Sequence, residues 1–390
     1  MTATAPSAAL TRADGAEAPG PGGPVLRANP AYELVPLERL DALERAAVQA
    51  GEGDDELYGL LRPAPESGLA PRAATTDLAL LVLTLREPGP LPEFAARALG
   101  DEAEQTVARL VLDGVLELER DGNFVSGERA LDRLTPCAAP STRVGELSLA
   151  ALRHGQALDG LPEELLSFRL YCYGRRPLTP ALRHALPDEE ATAAFLRVDD
   201  GPVRALWTES GTKAGDHWRM LRRRRAGRDG TATFKLYVAP ALEAVPEALA
   251  HVAEMLGEHG ACEGFKVARD AAGLCRPDKL VAYFARLEDL HDAAARLRPR
   301  LDGLPAQPVP FTGGVDPAGL LSWGVDPAAG GREARSWRLW LATRLASYLV
   351  EGRAAGGETE PWRFALERIR LDGIDTGSWA PVSSGWDGAR

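Results

Sequence analysis

The chain has 390 residues, 45% of them hydrophobic and 26% charged, with a formal net charge of -11. That is enough apolar material for a substantial core in two or three domains, while the negative balance repels polyphosphate backbones and disfavours non-specific nucleic-acid binding. No run of about 18 apolar residues offers a membrane span, and the Ala-, Pro- and Gly-rich start lacks the basic-then-apolar order of a signal peptide, so a cytoplasmic protein with no membrane partner is expected.

Residues 1–30 have the low complexity of a disordered tail. From 31 to 141 a helical, winged-helix-like domain is predicted. Leu78 to Leu85 forms an apolar helix core, Pro88-Gly89-Pro90 breaks it, and Leu91 to Leu99 resumes. A third helix runs from Asp101 to Asp113, with Asp101 as N-cap and Glu104 three residues on. Val115 to Glu119 then alternates as a strand, Asp121-Gly122 turns, and Asn123-Phe124-Val125 returns. The third helix is net acidic, which argues against a DNA-reading role. Peptide recognition by strand addition and a plain structural cap both remain open for this region.

Residues 142–353 read as an α+β domain: a mixed or antiparallel sheet with helices packed on one face. Strands are expected over Thr233 to Val238, Gly264 to Ala268 and Lys279 to Phe284, with helices carrying Val245, Leu249, Val252 and Leu256, and then Leu287, Leu290, Ala294 and Leu297. A closing helix covers Leu341 to Leu349, and residues 354–390 form a C-terminal extension. Cys137, Cys172, Cys262 and Cys275 are scattered with no C-x-x-C pair, so neither a metal site nor a disulfide framework is indicated.

The three strands each carry a cation amid apolar neighbours: Lys235 in Phe234-Lys235-Leu236-Tyr237-Val238, Lys266 in Phe265-Lys266-Val267, and Lys279 at the head of the third. Alternation sends Lys235 and Tyr237 to one face, away from Phe234, Leu236 and Val238, and lets Lys279 and Tyr283 share a side. Like charges crowded on a half-buried sheet are costly without an anion among them, which implies a phosphate-bearing ligand on the open face.

These residues, with Leu170-Tyr171-Cys172-Tyr173-Gly174, Arg276-Pro277-Asp278-Lys279, Pro310-Phe311-Thr312 and Ser336-Trp337-Arg338, resemble the HopA-type family over residues 142–353. That family is related to a bacterial type III effector, and many members accompany ribosomal-peptide gene clusters. The core is more remotely similar to phosphothreonine lyases and to the lyase domains of lanthipeptide synthetases. The resemblance implies that Lys235 binds or polarises a phosphate and that Lys266 is the general base, with no cofactor. Tyr237 stands where those lyases place the histidine that protonates the leaving group. This departure leaves the acid unassigned.

The chemistry can be argued from the residues as well. Eliminating phosphate from phosphoserine or phosphothreonine requires abstraction of a weakly acidic Cα proton and stabilisation of the leaving phosphate. Desolvation and neighbouring cations would favour the neutral amine of Lys266. Arg276 and Arg338 suit bidentate phosphate capture; Lys279, Tyr283 and Lys213 are further phosphate or substrate contacts, and Tyr237, Tyr283 or His217 could serve as acid. The expected function is a phosphoserine/phosphothreonine lyase that makes dehydroalanine or dehydrobutyrine in a precursor peptide of lanthipeptide or thioamitide type. A separate kinase would supply the phosphopeptide, since no phosphate loop or kinase set is present, and a cyclase could follow. The alternatives are a non-catalytic peptide- or kinase-binding subunit and an effector-like protein.

Overall fold

The structure is a computed structural model that describes residues 23–49, 57–133, 139–210, 217–224, 233–327, 336–354 and 360–382. It divides into two compact units, Met1–Ala130 and Leu131–Arg390. In the first, β1 (Leu26–Ala28), β2 (Tyr32–Pro36), α1 (Ala42–Gln49), β3 (Leu57–Pro63) and β4 (Arg72–Thr75) precede α2 (Thr76–Thr84), α3 (Glu93–Leu99), α4 (Ala103–Leu112), β5 (Leu116–Arg120) and β6 (Asn123–Val125). Three helices, α2 to α4, are followed by the β5–β6 hairpin. Asp121 and Gly122 both take positive φ, which suits the tight turn joining β5 to β6.

Three expectations for this region need correction. Leu26–Ala28, assigned to the disordered tail, is a strand paired with β5; Leu26 is buried at 1% exposure, and that burial offsets the ordering entropy of the segment. A sheet beyond the expected hairpin is also present: β2, β3 and β4 form a second antiparallel sheet around Val35, Leu40, Val48 and Leu60. Asp101 lies within a 3-10 turn, Gly100–Glu102, and the helix proper starts at Ala103 after Glu102, which makes no side-chain cap.

The second unit opens with α5 (Arg143–Ala157), α6 (Glu163–Tyr171), α7 (Pro180–Ala185), α8 (Glu189–Leu196) and α9 (Gly201–Leu206). Next come β7 (Trp207–Ser210), β8 (Trp218–Arg223), β9 (Phe234–Val238), α10 (Val245–His259), β10 (Cys262–Ala268), α11 (Ala271–Leu274), β11 (Leu280–Phe284) and α12 (Leu287–Leu297). β12 (Gly313–Gly314), β13 (Leu321–Val325), α13 (Trp337–Ala354), α14 (Pro361–Leu371), β14 (Ile374–Asp375) and β15 (Ala380–Pro381) complete it. A seven-stranded sheet in the order β12-β13-β9-β11-β10-β8-β7 is its frame, antiparallel throughout. The fold is α+β.

Leu236, Val238, Phe265, Val267, Leu280, Ala282 and Phe284 share one face and pack with Val245, Leu249, Val252 and Leu256 of α10 and Leu290, Ala294 and Leu297 of α12. Full burial of each large apolar side chain here contributes roughly 1.5–3 kcal/mol. On the β13 side of the opposite face a further helical group is present. A Cβ at Gly324 would collide with the Trp337 indole of α13, so only glycine permits that approach. Trp337, Leu341, Leu345 and Leu349 of α13 join Ala151 and Leu152 of α5, Leu166 and Leu170 of α6, and Ile369 of α14 in a second core. The segment 360–382 is therefore part of this unit rather than an extension, because Trp362, Phe364, Ile369 and Trp379 supply core volume.

Candidate functional site

Register decides which side chains meet. Lys235 pairs with Tyr283 and Gly324; Tyr283 pairs in turn with Gly264, and Gly264 with Arg222. The next row holds Met220, Lys266, Val281, Tyr237 and Ser322. Lys235, Tyr237, Lys266 and Tyr283 thus share the face away from α10 and α12, as alternation predicted.

Two carboxylates that the sequence reading did not single out lie among the cations. Asp326 Oδ2 is 2.5 Å from Lys235 Nζ, and Asp326 Oδ1 accepts the backbone N–H of Trp337 at 2.8 Å. Asp278 is 5% exposed and accepts from Arg276 Nε at 2.9 Å, Arg276 Nη2 at 3.0 Å and Arg338 Nη1 at 2.8 Å. Burial alone would raise the Asp278 carboxyl, but the Arg338 charge, together with the hydrogen bonds and charge of Arg276, holds it well below the usual carboxylate range. Like-charge repulsion on this sheet is therefore relieved in part by the chain itself. Among the described residues, Asp278 answers Arg276 and Arg338, and Asp326 answers Lys235.

Aromatic groups fix the cations. Lys266 Nζ lies 3.9 Å from the centroid of Trp218, and the Arg276 guanidinium lies 5.1 Å from the same ring. Arg276 Nη2 also donates to the Tyr171 hydroxyl at 2.6 Å, and Arg338 Nη2 to the Tyr171 carbonyl at 2.8 Å. Arg338, at the first turn of α13, is 2% exposed and reaches Pro310 O as well, so it braces Asp278 and Tyr171 rather than facing solvent. Lys235 Nζ is 5.8 Å from the Tyr283 ring centroid.

Three candidates depart from expectation. Lys279 is fully buried, donating to Pro240 O and Gln307 Oε1, both at 2.9 Å, so it ties loops together instead of meeting a phosphate. Burial lowers its ammonium to about 7, against the opposing pull of Asp278, with Arg176 lowering it further and Cys275 and Glu243 raising it. Tyr237 is 3% exposed, and desolvation, only partly offset by Arg338, pushes its phenol well above the ordinary value. It keeps its proton at any physiological pH and can donate a hydrogen bond, but it is a poor proton-transfer acid. His217 is exposed and bonded through Nδ1 to Asp270 Oδ2 at 2.7 Å, which engages the imidazole away from the lysine rows. Lys213 lies outside the described residues.

Two of the residues missed in the sequence had readable signals. Asp278 lies between two flagged cations in Arg276-Pro277-Asp278-Lys279, and Trp218 follows His217 directly. Asp326 and Tyr171 come from distant segments and carried no local pattern. Among the described residues no group of three or more His, Cys, Asp or Glu is placed to hold a metal ion, and no helix is long and apolar enough to cross a membrane.

No protein-family model matches the chain, and no curated protein matches it. Comparison with solved structures finds similarity to an effector protein from Pseudomonas syringae pv. tomato, at TM-score 0.41 and 10% identity over 62% of this chain and 99% of that one. A second effector protein, from Pseudomonas syringae pv. syringae, gives TM-score 0.39 and 12% identity over 61% and 98%. A phosphothreonine lyase effector from Salmonella gives TM-score 0.28 and 15% identity over 43% and 98%.

Proposed function

We propose that this protein is a phosphoserine/phosphothreonine lyase acting on a peptide. The observation that carries the reading is the sheet face on which Lys235 and Lys266 stand in adjacent rows, bordered by Arg276. Lys266, as neutral amine, takes the Cα proton; the C–H electron pair becomes the Cα=Cβ bond, the Cβ–O bond breaks, and inorganic phosphate leaves with its electrons. Lys235 and Arg276 stabilise the departing charge, Lys235 exchanging Asp326 for the phosphate. Tyr237 donates a hydrogen bond on this face, and the products are dehydroalanine or dehydrobutyrine. In the HopA-type setting that the sequence resembles, the substrate is a ribosomal precursor peptide phosphorylated by a separate kinase.

The test is mass spectrometry of a phosphothreonine peptide incubated with the protein. Loss of phosphoric acid is expected with the wild type, and a drop of at least about 100-fold with Lys266→Ala at unchanged peptide affinity, because a base acts in the transition state alone. A phosphopeptide that binds the wild type but is never converted selects the second reading, a non-catalytic phosphopeptide-binding subunit. That reading is favoured by one observation: a deeply buried phenol with a raised pKa stands at the acid position.

A further inference from the structure

We propose that Trp218 is a positioning residue whose indole holds the Lys266 amine in place and stabilises the positive charge that this amine acquires. The kinetic half of the inference rests on the lyase reading. Met220 pairs with Lys266, so Trp218, two residues earlier on β8, lies diagonally beside it on the same face. The 3.9 Å approach of Nζ to the ring is a cation–π contact, and Arg276, itself held by Asp278 and Tyr171, limits where the indole can move.

The ring quadrupole attracts an ammonium and does little for a neutral amine. When Lys266 accepts the Cα proton, positive charge develops on Nζ. A contact that favours the ammonium then stabilises the transition state more than the ground state. The same contact makes the neutral amine scarcer at low pH, so the indole exchanges base availability for transition-state stabilisation. Among the described residues, the other charged or titratable groups on or bordering this face include Lys235 and Tyr237 of β9, Tyr283 of β11, Arg222 of β8, Arg276 and Asp278 before β11, Asp326 after β13, Tyr171 of α6 and Arg338 of α13. None of these groups is itself altered when Trp218 alone is changed.

The experiment uses the full chain, Trp218→Leu and Trp218→Phe, with two pH series. The first is acetylation of Lys266 by acetic anhydride without substrate, read by peptide mass spectrometry; the second is the rate of elimination from a phosphothreonine peptide. With Trp218→Leu, the midpoint of the labelling curve and the acidic limb of the rate profile both move to lower pH by about half a unit, and the rate plateau falls several-fold. Trp218→Phe is intermediate, since a phenyl ring keeps part of the quadrupole. Coincident labelling midpoints for wild type and Trp218→Leu overturn the inference whether or not elimination occurs. A plateau loss with neither pH curve displaced marks plain structural damage and overturns it too. A displaced labelling midpoint in a protein that eliminates no phosphate sustains the hold of Trp218 on Lys266 and overturns the lyase reading alone.

Discussion

Asp278 is the residue on which the site's geometry turns, because it accepts from two guanidiniums in a place with little water. Asp278→Asn leaves the buried Arg338 without its counter-charge and is expected to cost about 3–5 kcal/mol in denaturant unfolding. The double variant with Arg338→Met should cost less than the two single losses combined, since neither charge is then stranded. Lys279 gives a pH signature of opposite character. Its folded value of about 7 lies below the 10.5 of an unperturbed lysine, so between those values the unfolded chain holds the additional proton. Stability should therefore rise as pH increases from about 7 to about 10, by an amount on the order of a few kcal/mol. Urea unfolding at a series of pH values checks this, and the rise should vanish in Lys279→Met. A rise that persists in that variant refutes the assignment.

At the scale of elements, Gly324 governs how α13 meets the sheet. Gly324→Ala places a methyl into the Trp337 indole and is expected to destabilise by about 1–3 kcal/mol. Because Arg338 follows Trp337, phosphopeptide affinity should fall with it; calorimetric titration showing unchanged affinity would separate α13 from the site. The sequence made the strands and the paired helices α10 and α12 legible, since periods of 2 and 3.6 survive in Phe234-Lys235-Leu236-Tyr237-Val238 and in Val245, Leu249, Val252 and Leu256. It also put Lys235 and Lys266 on one face. The sequence did not disclose what answered those charges. Asp326 reaches Lys235 across a strand pair, and Tyr171 reaches Arg276 from 105 residues away, so no local spacing encodes either contact. Lys279 misled for a related reason: alternation places it on the correct face, but Pro240 and Gln307, brought in by other segments, bury it there.

At the scale of the whole molecule, each unit has its own core and its own sheets. Every described residue of the candidate site belongs to residues 131–390. A chain limited to those residues is expected to unfold cooperatively and to act on a short phosphopeptide at a rate within about threefold of the full chain, as independent units should. Loss of binding to the short peptide in that truncated chain would show that the first unit completes the site. Full activity on a short peptide with weaker binding of a long precursor would instead give the first unit a recognition role.

Asp326 has two duties, one oxygen toward Lys235 and the other capping the N–H of Trp337 at the start of α13. A phosphate that draws Lys235 away leaves this carboxylate to the helix alone, where the positive end of the helix dipole attracts it more strongly. Occupancy of the sheet face is in this way written into the fraying of a helix end. Amide exchange at residues 337–340 becomes a gauge of ligand arrival, slower when the site is filled, and legible even in a Lys266→Ala protein that performs no chemistry.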